Sequence, residues 1–222
     1  MTMATPIKVG HRGGTGSTLA TNGFTPSAPA SLLVACWGRR STVGTPAVAT
    51  ITSSPALTWN ALTFTPDTIG TTTYIRIGAS WAAVPTATPV AMTVTASVDS
   101  GPKTSMIVTE FPGAHPGITN LGSDDDASGD PVAVMDDTPD GMSLSFAFGM
   151  FAGTDMPVAP ATGFTELFAN LNNTDCITQV AYHLTPTDTV TWSSTNVHSM
   201  GAIMEIKPAG TNRSAAVGLW FS

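Results

Sequence analysis

Thr93-Val94-Thr95-Ala96-Ser97-Val98 alternates hydroxyl and apolar side chains without a break. A β-strand throws successive side chains to opposite faces, so Met92, Val94, Ala96 and Val98 share one face and Thr93, Thr95 and Ser97 the other. This is a strand with one face buried. Upstream, Tyr74-Ile75-Arg76-Ile77-Gly78-Ala79-Ser80-Trp81 sets Ile75, Ile77, Ala79 and Trp81 on a single face. Downstream, the turn Asp99 to Lys103 leads into Ser105-Met106-Ile107-Val108-Thr109-Glu110-Phe111, which Pro112-Gly113 ends. Three strands in close succession make residues 71–113 the organising block.

Working outward, Ser31-Leu32-Leu33-Val34-Ala35-Cys36-Trp37-Gly38 is apolar on both alternating faces, as a central strand covered on each side requires. Further strands are expected at 47–51, 57–64, 142–150, 164–171, 176–184, 189–193 and 200–207. About ten strands result, with no helical spacing and no repeat of fixed period. Such a chain predicts an all-β protein, an antiparallel jelly-roll β-sandwich, with a closed barrel as the other architecture. Residues 1–24, rich in Gly with no periodic apolar pattern, read as a flexible or extended N-terminal arm. The sandwich occupies 25–208, and 209–222 is a C-terminal tail.

Charged residues are 10% of the 222, against a usual share of about 25%. Eight Lys plus Arg against 15 Asp plus Glu give a net charge of −7. Nucleic acid is not an expected partner, because phosphate neutralisation needs a clustered basic surface and only Arg39-Arg40 are adjacent cations. No apolar run reaches the ~18 residues of a membrane span, so no membrane partner is expected. The first residues lack the apolar core of a secretory signal, which predicts synthesis in a cytoplasm without Sec export. Cys36 and Cys176 lie in strand-like apolar runs and read as reduced, buried thiols.

The metal reading falls on the acidic stretch 123–130. Asp124, Asp126, Ser128 and Gly129 match positions 1, 3, 5 and 6 of a calcium loop, but Met135 stands where the closing Glu belongs. A solvated acidic loop is the first reading. An oxygen cage for Ca²⁺ on Asp124, Asp126, Ser128 and Asp130 is the second, and no other cofactor is expected. None of His11, His115, His183 and His198 has zinc-site spacing, and no Gly-x-Ser-x-Gly, phosphate loop or dinucleotide fingerprint occurs. The expectation is therefore no enzyme. Glu110, closing an apolar strand, is read as edge-facing or paired with Arg76 or Arg39, and a polysaccharide hydrolase acting through it is the third reading of function. Trp59 and Trp192, each flanked by polar residues, are the candidates for a sugar-stacking platform, while Trp37 and Trp81 read as core. Leu219, Trp220 and Phe221 would be costly to leave in water and are the candidate assembly residues.

The entry Phe24-Thr25-Pro26, the strand opening Leu32-Leu33-Val34, the Trp-bearing strand before the Thr/Val-rich one, and Glu110-Phe111-Pro112-Gly113 occur in an order that resembles a diffuse group of jelly-roll domains. These belong to virion proteins of tailed bacteriophages, namely head decorations, head fibres and tail proteins, and to related bacterial surface proteins. The resemblance spans residues 24 to 207 and brings no shared catalytic set. It implies a structural virion protein, assembled in the host cytoplasm and exposed on the particle. The implied partners are phage capsid or tail proteins, copies of itself with a trimer favoured, and a host surface glycan. A carbohydrate-binding module for host attachment is the alternative.

Overall fold

A computed structural model describes residues 3–65, 68–69, 72–85, 89–127, 130–153, 159–160, 163–170, 176–193 and 198–210. Among these there is no helix, and every strand pairing is antiparallel. In chain order the strands are β1 (Ile7–Gly14), β2 (Thr18–Ala20), β3 (Leu32–Ser41), β4 (Thr50–Ser54), β5 (Asn60–Leu62), β6 (Thr68–Ile69), β7 (Tyr74–Ala83), β8 (Thr93–Ser97) and β9 (Lys103–Phe111). There follow β10 (Leu121–Asp126), β11 (Val132–Val134), β12 (Leu144–Phe151), β13 (Ala159–Pro160), β14 (Thr165–Asn170), β15 (Ile177–His183), β16 (Thr189–Ser193) and β17 (Ser199–Ile206).

Two large sheets face each other. One has the order β1-β9-β3-β7-β5, with β6 also on β7, and the other β10-β17-β12-β15-β14. Between them lies the principal core, including Leu32, Val34, Cys36, Ile77, Ile107 and Phe111 from the first sheet and Phe146, Phe148, Met150, Val180 and Met204 from the second. A small sheet, β2-β8-β4, packs on the outer face of the first through Ala35, Trp37, Val94, Ala96 and Met106. Another, β11-β16-β13, packs on the second through Ala147, Phe151, Val190, Trp192 and Ile203. Four β layers result. Strand β3 lies at the centre of its sheet with Leu32 to Arg39 buried, which is why both of its faces are apolar.

The two sets of strands repeat one another. Leaving aside the short β6, each half has eight strands, and in both the first, eighth, third, sixth and fifth form the large sheet while the second, seventh and fourth form the small one. Ladder register gives the correspondence residue by residue. Leu32 stands opposite Phe111 and Leu33 opposite Glu110, just as Leu144 stands opposite Ile206 and Ser145 opposite Glu205. Gly10 and Gly122 also correspond, and a Cβ at either would strike the first small-sheet segment, 2.9 Å from the Thr21 Cγ2 or 1.7 Å from the Val134 carbonyl oxygen. No periodicity announces this, because the offset between matched residues shrinks along the chain, from that of Gly10 and Gly122 to that of Glu110 and Glu205.

Contacts between the halves are reciprocal, as at an isologous two-fold interface. Strand β3 meets β12, β9 meets β15 as β17 meets β7, and β1 meets β14 as β10 meets β6 on the edge that β6 shares with β5. Gly38 packs on Met150, its own register counterpart, and Phe111 stacks edge-on against Phe146 at 4.9 Å. Facing strands β3 and β12 therefore run in the same sense, so equivalent ends of the two halves lie together. At one end are Leu32, Phe111, Leu144 and Ile206, the start of β1, and the bridge of Ala114 to Pro208. Both ends of the described chain leave from here, and this is called the terminal end. At the other, the loop end, lie Ser41, Lys103, Phe151 and Ser199.

Several expectations are corrected. Residues 7–14 and 18–20 are extended but do not form a separate arm, since β1 is an edge strand of a large sheet and β2 of a small one. The acidic stretch opens as a strand, β10, and not as a loop. The span 57–64 contributes only Asn60–Leu62 as a strand. Tail residues 211–222, with Leu219, Trp220 and Phe221, lie outside the described residues.

Candidate functional site

Glu110 is fully buried and meets neither Arg39 nor Arg76 among its hydrogen-bond partners. Its carboxylate accepts from the Ser27 amide at 2.9 Å to each oxygen, from the Ser27 hydroxyl at 3.0 Å, from the Ala28 amide at 3.3 Å and from the Ser31 hydroxyl at 2.8 Å. Burying a lone carboxylate costs several kcal/mol, which only such a set of donors offsets. The clamped turn includes Ala30 at φ 54°, a left-handed conformation that costs an L-residue about 1–2 kcal/mol. The expected Arg pairing is thus replaced by a structural clamp. The second half repeats it: Glu205, 3% exposed, accepts from the Asp140 amide at 2.6 Å and from Asn120 Nδ2 at 3.2 Å. Neither carboxylate faces a second one across a cleft in these contacts.

Strand alternation separates the acidic residues. Asp124 and Asp126 stand opposite Gly201 and Ser199, and Asp125 between them points to the other face. Asp124 Oδ2 accepts from the Val132 amide at 2.7 Å, tying β10 to β11. Burial first, then the charges of Asp124 and Asp126, push the Asp125 carboxyl above its ordinary value. Asp130 is exposed, and Ser128 lies outside the described residues. No group of three His, Cys, Asp or Glu positioned to hold a metal occurs among the described residues.

Trp192 is 0% exposed, so it offers no sugar-stacking face. It fills the space left by Gly149 and Gly201, where a Cβ would come within 3.1 and 2.6 Å of its ring. Glycine inside a strand marks a close approach, and those two glycines were the signal that Trp192 faces inward. Trp59 is half-buried against the outer core of the first half, and its indole N–H donates to the Ser53 hydroxyl at 3.2 Å. Trp37 is buried as expected, whereas Trp81 is only partly so. Cys36 and Cys176 are free, buried thiols; burial pushes Cys36 up and Cys176 up to about 12, the latter against the pull of Arg40, Arg39 and Lys103.

Sequence reasoning missed the concave feature at the loop end. A pocket of about 520 Å³ lies between the β3–β4 connection and the β8–β9 connection, lined by Arg40, Thr42, Thr45, Asp99, Ser100 and Lys103 among others. Buried Arg39 holds its walls together. Its Nε donates to the Thr104 hydroxyl at 3.1 Å, one terminal nitrogen donates to the Ala47 carbonyl and to the Asp99 carboxylate, and the other to the Asp99 carbonyl at 3.0 Å. Arg76 donates to the Pro46 carbonyl at 2.8 Å. Burial pulls the Asp99 carboxyl upward, but the Arg39 hydrogen bond and charge outweigh it and hold it below the ordinary value. At the terminal end lies a smaller apolar groove of about 240 Å³, bordered by Pro26, Leu57, Val84, Pro85, Val90 and Met92.

No family model, no curated protein and no solved structure matches the chain.

Proposed function

We propose that this is a structural, non-catalytic virion protein of a tailed phage, a decoration or tail-associated protein that assembles through its terminal end and turns its loop end outward. The observation that carries the reading is polarity. Both ends of the described chain and the apolar groove lie at one end, and the polar pocket at the opposite one. The strand order supports the jelly-roll assignment, now for each half. First, eighth, third and sixth strands in one sheet and second, seventh and fourth in the other is jelly-roll order, with the fifth strand carried on the larger sheet. The last described residues, Pro208 to Gly210, lie at the terminal end, and residues 219–221, farther along the sequence, are the proposed anchor to capsid or tail proteins. Repetition on a symmetric particle turns weak single contacts into firm attachment.

Deleting residues 211–222 is expected to abolish incorporation into particles while circular dichroism still reports a folded β protein. Incorporation at the full level would discard the anchor, and a monomer at assembly concentrations would discard the trimer. Attachment to a host glycan is the second reading. The burial of Trp192 moves it away from an aromatic platform and toward the loop-end pocket.

A further inference from the structure

No charged side chain borders the groove of about 240 Å³ at the terminal end of the first half. Val84 and Met92, 6% and 4% exposed, form its floor, and Val90, 56% exposed, stands at its rim. Pro26, Pro55, Pro85 and Pro89 complete its walls; proline has no backbone N–H, so the groove presents rings and methyl groups and few donors. It is smaller than the roughly 300–1,000 Å³ of small-molecule sites and suits the bulky side chains of a peptide.

The last described residues lie close by. The Ala209 amide donates to the Gly113 carbonyl at 2.8 Å, and Gly113 follows Phe111 by two residues. Phe111 is two strand spacings, about 10 Å, from Ala83 across β3, and Val84 comes next. On the other wall, Glu110 accepts from the Ser27 amide at 2.9 Å, directly after Pro26. Residues 211–219, at about 3.3 Å each, span up to roughly 30 Å, so the groove is within reach of Leu219, Trp220 and Phe221 of the same chain. Residues 211–222 carry one charged side chain, Arg213, and an apolar cluster of the kind that is a liability when left in water.

We propose that the groove binds Leu219, Trp220 and Phe221 of its own chain, storing the anchor against the first half until an assembly partner takes it. The tether favours this occupant over a second copy, because a short flexible link sets an effective concentration of order millimolar. Aromatic side chains supply large contact areas, and walls of proline rings and aliphatic groups leave few polar atoms to desolvate. A partner that draws the segment out exchanges one apolar site for another, so the aromatic pair is uncovered only where it is used.

Storage rests on the anchor reading for its choice of side chains but is tested on the purified full chain without particles, so its failure and that of the anchor are read separately. A nitroxide is attached at Ser222→Cys; Cys36 and Cys176 are 0% exposed and stay unlabelled. Amide NMR signals of Leu57, Val84, Val90 and Met92 are expected to be lost to paramagnetic broadening, while those of Ser100 and Gly101 at the loop end persist. An equal mixture of spin-labelled chain at natural isotope abundance and isotope-enriched chain without the nitroxide should show no loss. Trp220→Ser, outside the described fold, and Val90→Glu, on the exposed rim, should each restore the signals. If Val90→Glu fails to fold, Trp220→Ser alone must restore them. Signals kept in the labelled chain, signals lost in the mixture as from a second copy's segment, or a loss undiminished by these substitutions would each overturn the proposal.

Discussion

The two halves of the molecule share a strand order and fill their outer cores in opposite ways. In the first, bulk comes from the large sheet: Trp37 projects toward β2-β8-β4 and lies across Gly78, where a Cβ would come within 2.1 Å of its ring. In the second, register puts Gly149 at the position of Trp37, and the bulk comes from the small sheet as Trp192. The indole has moved from the large sheet to the small one, where the first half carries Val98, and a glycine holds its place on the large sheet. What the topology demands is a filled volume between layers, close-packed like any protein interior, and not a given residue at a given place.

The largest expected effect tests that exchange. Trp192→Ala should cost about 3–5 kcal/mol, the usual loss for emptying a buried aromatic site. For a chain of this length that is a fall in Tm on the order of 10 °C, read by calorimetry. Trp37→Ala should cost a similar amount. A loss under about 1 kcal/mol at one site and not the other would show that the two outer cores are not equivalent.

The clamps come next. Both halves bury a glutamate on their eighth strand against the turn that enters the third, but Glu110 collects its donors from three residues of that turn while Glu205 takes one turn amide, the Asn120 side chain and a half-exposed ion pair to Lys207 at 3.5 Å. Glu110→Gln turns an amide toward N–H and O–H donors and should cost about 1–3 kcal/mol, the range for a buried polar group left unsatisfied. Glu205→Gln should cost less by urea denaturation. Equal losses would mean that the extra turn donors at Glu110 add nothing to stability.

Acid separates the halves by sign. Asp99 in the first half has a lowered folded value, so its contribution is present above the ordinary carboxylate range, near 3.9, and is lost as pH falls through that lowered value. Asp125 in the second half has a raised value, so its ionised form costs stability at neutral pH and protonation relieves that cost as pH falls through it. As pH falls through the lowered Asp99 value, amide protection factors around 42–49 and 98–102 should drop while β10 holds its protection. Asp124→Asn should lower the Asp125 value in an NMR titration; an unchanged value would leave burial and the charge of Asp126 as its causes.

Period-two burial made the strand set legible. The runs at 74–81, 92–98 and 105–111 are strands within a residue or two, because hydrophobic alternation is a local property of the backbone. Edge strands β1 and β10 were not legible, since their residues are half-exposed and their pairing is supplied by β9 and β17. Trp192 misled for a related reason: Thr191 and Ser193 describe one face of β16, and which face meets a second sheet is not written in the strand itself.

Composition and alternation alone determined that this chain folds as antiparallel β-structure with buried thiols, because solvent sorts side chains strand by strand. The tertiary structure decided the doubling into two halves, the inward turn of Trp192, the clamp on Glu110 and the tie from Arg39 to the loop-end walls. Each of these depends on which distant strands become neighbours, and that is fixed only when sheets pack face to face and fill the space between them.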